Sequence, residues 1–244
     1  MTGPMDVKTA GRTVDLFEVF AKARTPLTLS EIAAALNAPQ SSCFNLLRSL
    51  EARGYLYAVG SNKRIYPTRK LFEIADAIAG YEPVIPRVAP ALAALSKATQ
   101  ETVILGARQR DKAVYLSVIE GPQTIRYISR AGELKPMHAS AIGKALLMQL
   151  PIAEREKLVA RLPLKGVTDR TIVTAEALLA DIAQAEERGY TQTCGENVAD
   201  VMAVAVPTRI DGVAYAVAVA GPIGRVEALA AKHAAEIQAT LEQL

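Results

Sequence analysis

The sequence predicts an α+β chain in two parts. A small helical head ends in a hairpin; beyond a linker helix, one antiparallel sheet follows with helices packed on it. Three observations carry this expectation. Apolar residues recur at helical spacing through the first 55 positions, then give way to two short strand-like runs around a Gly-Ser-Asn-Lys turn. Gly80, Pro83 and Pro86 interrupt the pattern. Past residue 100, strand-like runs rich in Val, Ile and Tyr alternate with amphipathic stretches.

Three helices fill the head. VDLFEVF at 14–20 has apolar residues at helical spacing. In TLSEIAAAL at 28–36, Thr28 and Glu31 have the spacing of a capping box, and the alanines that follow permit a close helix crossing. NAPQ at 37–40 forms a turn, with Pro39 suited to the first helical position. In the third helix, 100° per residue puts Cys43, Leu46, Leu47 and Leu50 on one stripe, so Cys43 belongs to the core. The opposite face carries Ser41, Asn45 and Arg48, with Gln40 and Phe44 beside it. YLYAV at 55–59 and RIYPT at 64–68 then flank the turn at 60–63 as a hairpin with a basic tip. Helix, short turn, helix and hairpin make a winged helix-turn-helix.

Charge placement agrees. Residues 1–80 hold ten Lys/Arg against seven Asp/Glu, whereas the remaining residues balance. Within 37–72 there are six basic residues and one acid, Glu51. A basic patch on a second helix and a hairpin is the footprint of a nucleic-acid contact, and the helix fits a major groove. Arg48 can reach a guanine edge or a phosphate, Asn45 can pair with adenine, and Phe44 can touch a thymine methyl. Ser41 and Ser42 can bond phosphate or base, Lys63, Arg64 and Arg69 supply contacts that position without specifying, and Thr28 and Gln40 complete the expected DNA-binding set. The expected partner is double-stranded operator DNA.

At these residues the chain becomes recognisable. LTLSEIAAALNAPQSSCFNLLRSLEARGYL resembles the winged-helix half of the IclR family of bacterial transcriptional regulators. The likeness continues in PMHASAIGKALL, in RGY at 188–190 and in VAVPTRIDGVAYAVAVAGPIGR, in the family's order over almost the full length. Members often carry a basic residue where this chain has Gln40, and Arg where it has Asn45, so the third helix here is less cationic. The resemblance implies a DNA-binding regulator, repressor or activator, that is not an enzyme. The alternative from another class is a ligand-sensing, oligomerising scaffold without specific DNA binding.

The expected domains are a winged helix-turn-helix at 1–68, a linker helix at 69–82 and a sensor domain at 83–244. Leu71, Ile74, Ala75 and Ile78 share one face of the linker. In the third part a helix at 88–98 precedes three strands, TVILGAR, KAVYLSVIE and TIRYISR, joined as a meander. Helices follow at 141–150, 152–161 and 175–187, then MAVAVPTRI and AYAVAVAG flank an Asp211-Gly212 hairpin turn. A last helix runs from Val226, with His233 expected at its surface. The resemblance implies that this domain is a GAF/profilin-like effector domain.

The resemblance also implies ligand contacts. They fall on Thr124 and Tyr127 of the third strand, on Ala141 and Ile142 at the start of the Gly-Lys helix, and on Thr193, Val201, Ala203, Ala218 and Ala220. A helix N-terminus offers free N–H groups and partial positive charge, so the stretch from Ser140 to Ile142 is a natural seat for a carboxylate, and His138 in the same loop is counted among the ligand contacts. Members that sense very small polar acids carry polar or thiol side chains where this chain has alanines. The expectation is therefore an aromatic or similarly sized acid from a catabolic pathway.

Other chemistries are excluded. AIGKALL looks in part like a phosphate-binding loop, but His138 stands where its first glycine belongs and Ala145 follows Lys144. Cys194, His138, Glu196 and His233 match no nucleophile or metal spacing, so neither catalysis nor a cofactor is expected. Two cysteines far apart fit reduced thiols. No apolar run reaches the roughly 20 residues of a membrane helix. MTGPMDVKTAGR has no signal-peptide core, so a cytoplasmic location is expected. Reading a pseudo-palindrome calls for a homodimer, extended to a dimer of dimers.

Overall fold

A computed structural model describes residues 7–60, 63–81 and 84–243. The chain divides into two compact units, Met1–Glu82 and Pro83–Leu244.

The first unit is built from α1 (Lys8–Ala23), α2 (Leu29–Ala35), α3 (Gln40–Ala52), the hairpin β1 (Leu56–Val59) and β2 (Arg64–Pro67), and α4 (Lys70–Gly80). Leu16, Phe20, Leu27, Ile32, Leu47, Leu50 and Leu56 form its core, and Cys43 is buried with them. Thr28 caps α2: its hydroxyl accepts the Glu31 N–H, and Glu31 accepts the Thr28 N–H at 2.7 Å. Pro39 stands just before α3 instead of inside it, its carbonyl taking the Cys43 N–H. Leu27 exchanges two backbone hydrogen bonds with Ile65, tying the hairpin to the α1–α2 turn. Gly60 and Lys63 bracket the hairpin turn with positive φ; Ser61 and Asn62 lie outside the described residues. Helix α4 buries none of its residues in this chain, and Phe72, Ile74 and Ile78 stand exposed.

The second unit holds a six-stranded antiparallel sheet, ordered β5-β4-β3-β8-β7-β6. Its strands are β3 (Thr102–Gln109), β4 (Lys112–Ile119), β5 (Leu134–Pro136), β6 (Thr191–Cys194), β7 (Val201–Ile210) and β8 (Val213–Pro222). Alternation sorts the side chains by size. Val204, Val206, Val217 and Val219 face one side, where α5 (Ile85–Thr99) and α10 (Ala230–Leu241) cover them. Ala203, Ala205, Ala216, Ala218 and Ala220 face the other, beneath α6 (Ala141–Met148), with α7 (Ile152–Val159) and α8 (Ala175–Arg188) beyond it. The small side chains let α6 approach the sheet closely.

Four expectations need correction. TIRYISR is not a strand: Thr102 donates to the Tyr127 carbonyl and Arg225 to the Ile125 carbonyl, so side chains use the acceptors a ladder requires. The short strands β5 and β6, LKP and TQTC, carried no apolar alternation to reveal them. Pro86 opens α5 rather than interrupting a helix, because first-turn N–H groups have no intrahelical acceptor to lose. The last helix is preceded by α9 (Ile223–Val226) and a 3-10 turn, and His233 is buried, not exposed. It shares the stripe of Ala230, Ala234 and Ile237, a phase that the surrounding polar residues mask.

Candidate functional site

The first candidate surface is the outer face of α3 with the hairpin tip. Ser41, Phe44, Asn45 and Arg48 are exposed together, and the Arg48 guanidinium lies 5.7 Å from the Phe44 ring centre. Lys63 is exposed at the hairpin turn. Other residues assigned to this surface are engaged by neighbouring side chains or backbone, though Gln40 and Arg69 stay exposed. Ser42 is turned toward α1 and accepts from Arg12 at 3.0 Å; Gln40 reaches Ser30 at 3.4 Å. Thr28 is engaged by its capping box. Arg64 donates to the Pro26 carbonyl at 2.7 Å and pairs with Glu31 at 3.3 Å, so it fastens the hairpin to α2 instead of standing free. The Thr28 N–H and hydroxyl, with Arg64, hold the Glu31 carboxyl below its ordinary range. Arg69 stacks over Phe72 at 4.9 Å, and Lys70 caps the Arg53 carbonyl at 2.7 Å.

The second candidate is a cavity between α6 and the alanine face of the sheet. Two glycines set its walls. A Cβ on Gly143 would lie 2.3 Å from the Met137 carbonyl oxygen, so only glycine lets α6 rest on that backbone. A Cβ on Gly106, at the β3 bulge, would meet Ile142 at 2.7 Å. Ser140 caps α6, accepting from the Gly143 N–H and donating to the Pro136 carbonyl at 2.7 Å. The Lys144 N–H makes the first intrahelical bond, to the Ser140 carbonyl, which leaves the Ala141 and Ile142 N–H groups ahead of the helical ladder.

The cavity gathers Tyr127, Ser140, Ala141, Ile142, Thr193, Val201, Ala203, Ala218 and Ala220. It does not gather Thr124, which is exposed on the irregular 120–133 segment, nor His138, which is buried and meets the Lys165 carbonyl through Nε2 at 3.0 Å. Burial, aided by the Lys112 and Lys144 charges, holds the His138 imidazole below its ordinary value. Ile104, Tyr115, Asn197 and Val198 also line the cavity and were missed. Strand alternation puts Tyr115 on the face of Ala113, which was the available signal; Asn197 and Val198 sit in an aperiodic loop and gave none. Burial, with the Tyr127 hydroxyl and Glu133, pushes the Tyr115 hydroxyl well above its usual range. Free space in the cavity is about 20 Å³, room for one water. Among the described residues, no three His, Cys, Asp or Glu side chains gather as metal ligands, and no helix is long and apolar enough to cross a membrane.

Comparison with known proteins places this architecture. The model of the IclR helix-turn-helix domain matches residues 9–60, and that of the bacterial transcriptional regulator IclR C-terminal domain matches residues 78–244. The HTH-type transcriptional regulator XynR of Escherichia coli is 30% identical over 82% of this chain and 80% of its own length. The crystal structure of Thermotoga maritima IclR superposes with a TM-score of 0.80 at 24% identity, covering 96% of each chain. An IclR homologue from Microbacterium hydrocarbonoxydans, solved in complex with 4-hydroxybenzoate, gives 0.70 at 24% identity over 97% of this chain and 100% of that one. The chain belongs to the IclR family of bacterial transcriptional regulators, a helix-turn-helix and an effector-binding domain on one polypeptide, and is not an enzyme.

Proposed function

We propose that the chain binds operator DNA through Ser41, Phe44, Asn45 and Arg48, with Lys63 on the backbone, and that its effector is an aromatic or similarly sized carboxylic acid. The observation that carries the effector class is the lining of the cavity. Ala203, Ala218, Ala220, Ile104 and Ile142 offer apolar surface, while the Ala141 and Ile142 N–H groups offer one anion seat. Thr193 and Asn197 can pair with only part of a small hydrophilic acid, and each of its polar atoms left without a partner costs on the order of 1–3 kcal/mol. A ring gains instead, about 25 cal/mol for each Å² of apolar surface buried. The benzoate held by the Microbacterium homologue supports the same class.

The narrowness of the cavity favours a second reading, a two- to four-carbon oxo acid, since any acid needs the covering segments to move and a ring needs them to move further. Calorimetry with hydroxybenzoates against glyoxylate and pyruvate separates the two. Binding of a hydroxybenzoate supports the first reading; tight binding of an oxo acid alone overturns it. On the same reading the DNA-binding form is a homodimer, paired again as a dimer of dimers, with the exposed apolar stripe of α4 and Val14 of α1 in the contact.

A further inference from the structure

We propose that Lys144 and Glu196 form a latch that holds the 195–200 loop over the cavity, which makes both of them positioning residues for the effector. The inference rests on the cavity being the effector site.

Lys144 is fully buried. It lies one turn beyond Ala141 on α6, the helix whose first N–H groups face the cavity. Its ammonium donates to Glu196 Oε1 at 2.8 Å and reaches the Gln192 carbonyl at 3.5 Å. Asp181 Oδ2 on α8 is also 2.8 Å away, a contact that lies off a hydrogen-bonding direction, and Arg188 stands 4.0 Å from the other Asp181 oxygen. Two cations and two carboxylates thus balance inside the unit. A side chain such as methionine would fill the same space without desolvating a charge, so packing alone does not account for the lysine.

Glu196 belongs to the loop that joins β6 to β7. The root of that loop is fixed: Thr168 donates to the Gly195 carbonyl and Thr171 to the Glu196 carbonyl, each at 2.6 Å. Asn197 and Val198, which line the cavity, come next, and Val198 is exposed on its outer side. The Glu196 side chain therefore joins the cavity's cover to the helix that forms its anion seat. The joint is incomplete. Glu196 Oε2 is buried without a hydrogen-bond partner, and burial holds this carboxyl above its ordinary range despite Lys144. A half-satisfied buried carboxylate is a bond that can open, which a cavity of about 20 Å³ requires before it admits an acid.

Hydrogen exchange on the full chain tests the latch without any ligand. In Glu196→Gln, amides of 196–201 and 141–144 should exchange at least tenfold faster than in the wild type, while β3 and β8 keep their rates. Lys144→Met should give the same pattern, and the double variant should be no faster than the faster single one. Unchanged exchange in the loop of Glu196→Gln overturns the proposal. So does a uniform rise across residues 84–243 with a lower melting temperature, which is what a merely structural pair gives. Dissociation of 4-hydroxybenzoate should also quicken about tenfold in Glu196→Gln, and an unchanged rate overturns the proposal. If the exchange pattern appears but neither benzoates nor oxo acids bind the wild type, the latch stands and the effector-site reading falls.

Discussion

Arg48 and Arg64 carry the same charge but differ in their surroundings. Arg48 projects from the exposed face of α3, whereas Arg64 is bonded to Pro26 and Glu31. Arg48→Ala should weaken binding and relax preference at one base position, by roughly 1–3 kcal/mol for a bidentate contact. Lys63→Ala should weaken all sequences alike and flatten the salt slope by about one unit. Arg64→Ala should flatten it less and loosen the hairpin instead; binding isotherms at several salt concentrations distinguish the three. His138 gives a pH effect of definite sign. Its imidazole titrates below the ordinary value in the fold, so the unfolded chain takes up its proton first and stability falls as pH drops below about 6.5. Denaturant melts of His138→Gln should lose that part of the decline. The sequence disclosed which residues of α3 stand exposed, since helical phase turns Asn45 and Arg48 outward. It could not disclose Arg64's engagement, because Pro26 and Glu31 meet it only after the hairpin folds back on α2.

At the scale of elements, phase was legible and irregular backbone was not. The stripe of α3 and the Val/Ala alternation of β7 and β8 follow from periods of 3.6 and 2 residues, and they fix which face carries the cavity. The 120–133 segment has strand-forming composition, yet Thr102 and Arg225 hold its carbonyls from other elements, a tertiary effect that no local pattern encodes. Helix α6 depends on contact with the Met137 backbone. Gly143→Ala should cost about 1–3 kcal/mol or more by overpacking, and should weaken effector binding in the fraction that folds. Thr28→Ala removes a capping box and should cost about 0.5–2 kcal/mol in the first unit, read from its thermal melt.

For the whole molecule, Ile74 and Ile78 leave an exposed apolar stripe on α4, Phe72 is exposed on another face of the same helix, and Val14 adds apolar surface on α1. Light scattering should give a dimer or a dimer of dimers at micromolar concentration, and Ile74→Glu with Ile78→Glu should lower both the mass and the operator affinity. A wild-type monomer with normal operator binding contradicts that assembly. The central claim is that one chain reads DNA and answers to a small acid. A gel shift with the DNA upstream of its own gene, titrated with and without 4-hydroxybenzoate, tests it most directly. The account predicts a salt-sensitive, sequence-selective shift whose midpoint the acid moves. An affinity equal to that for random DNA at every salt concentration, unaltered by benzoates or oxo acids, would contradict it.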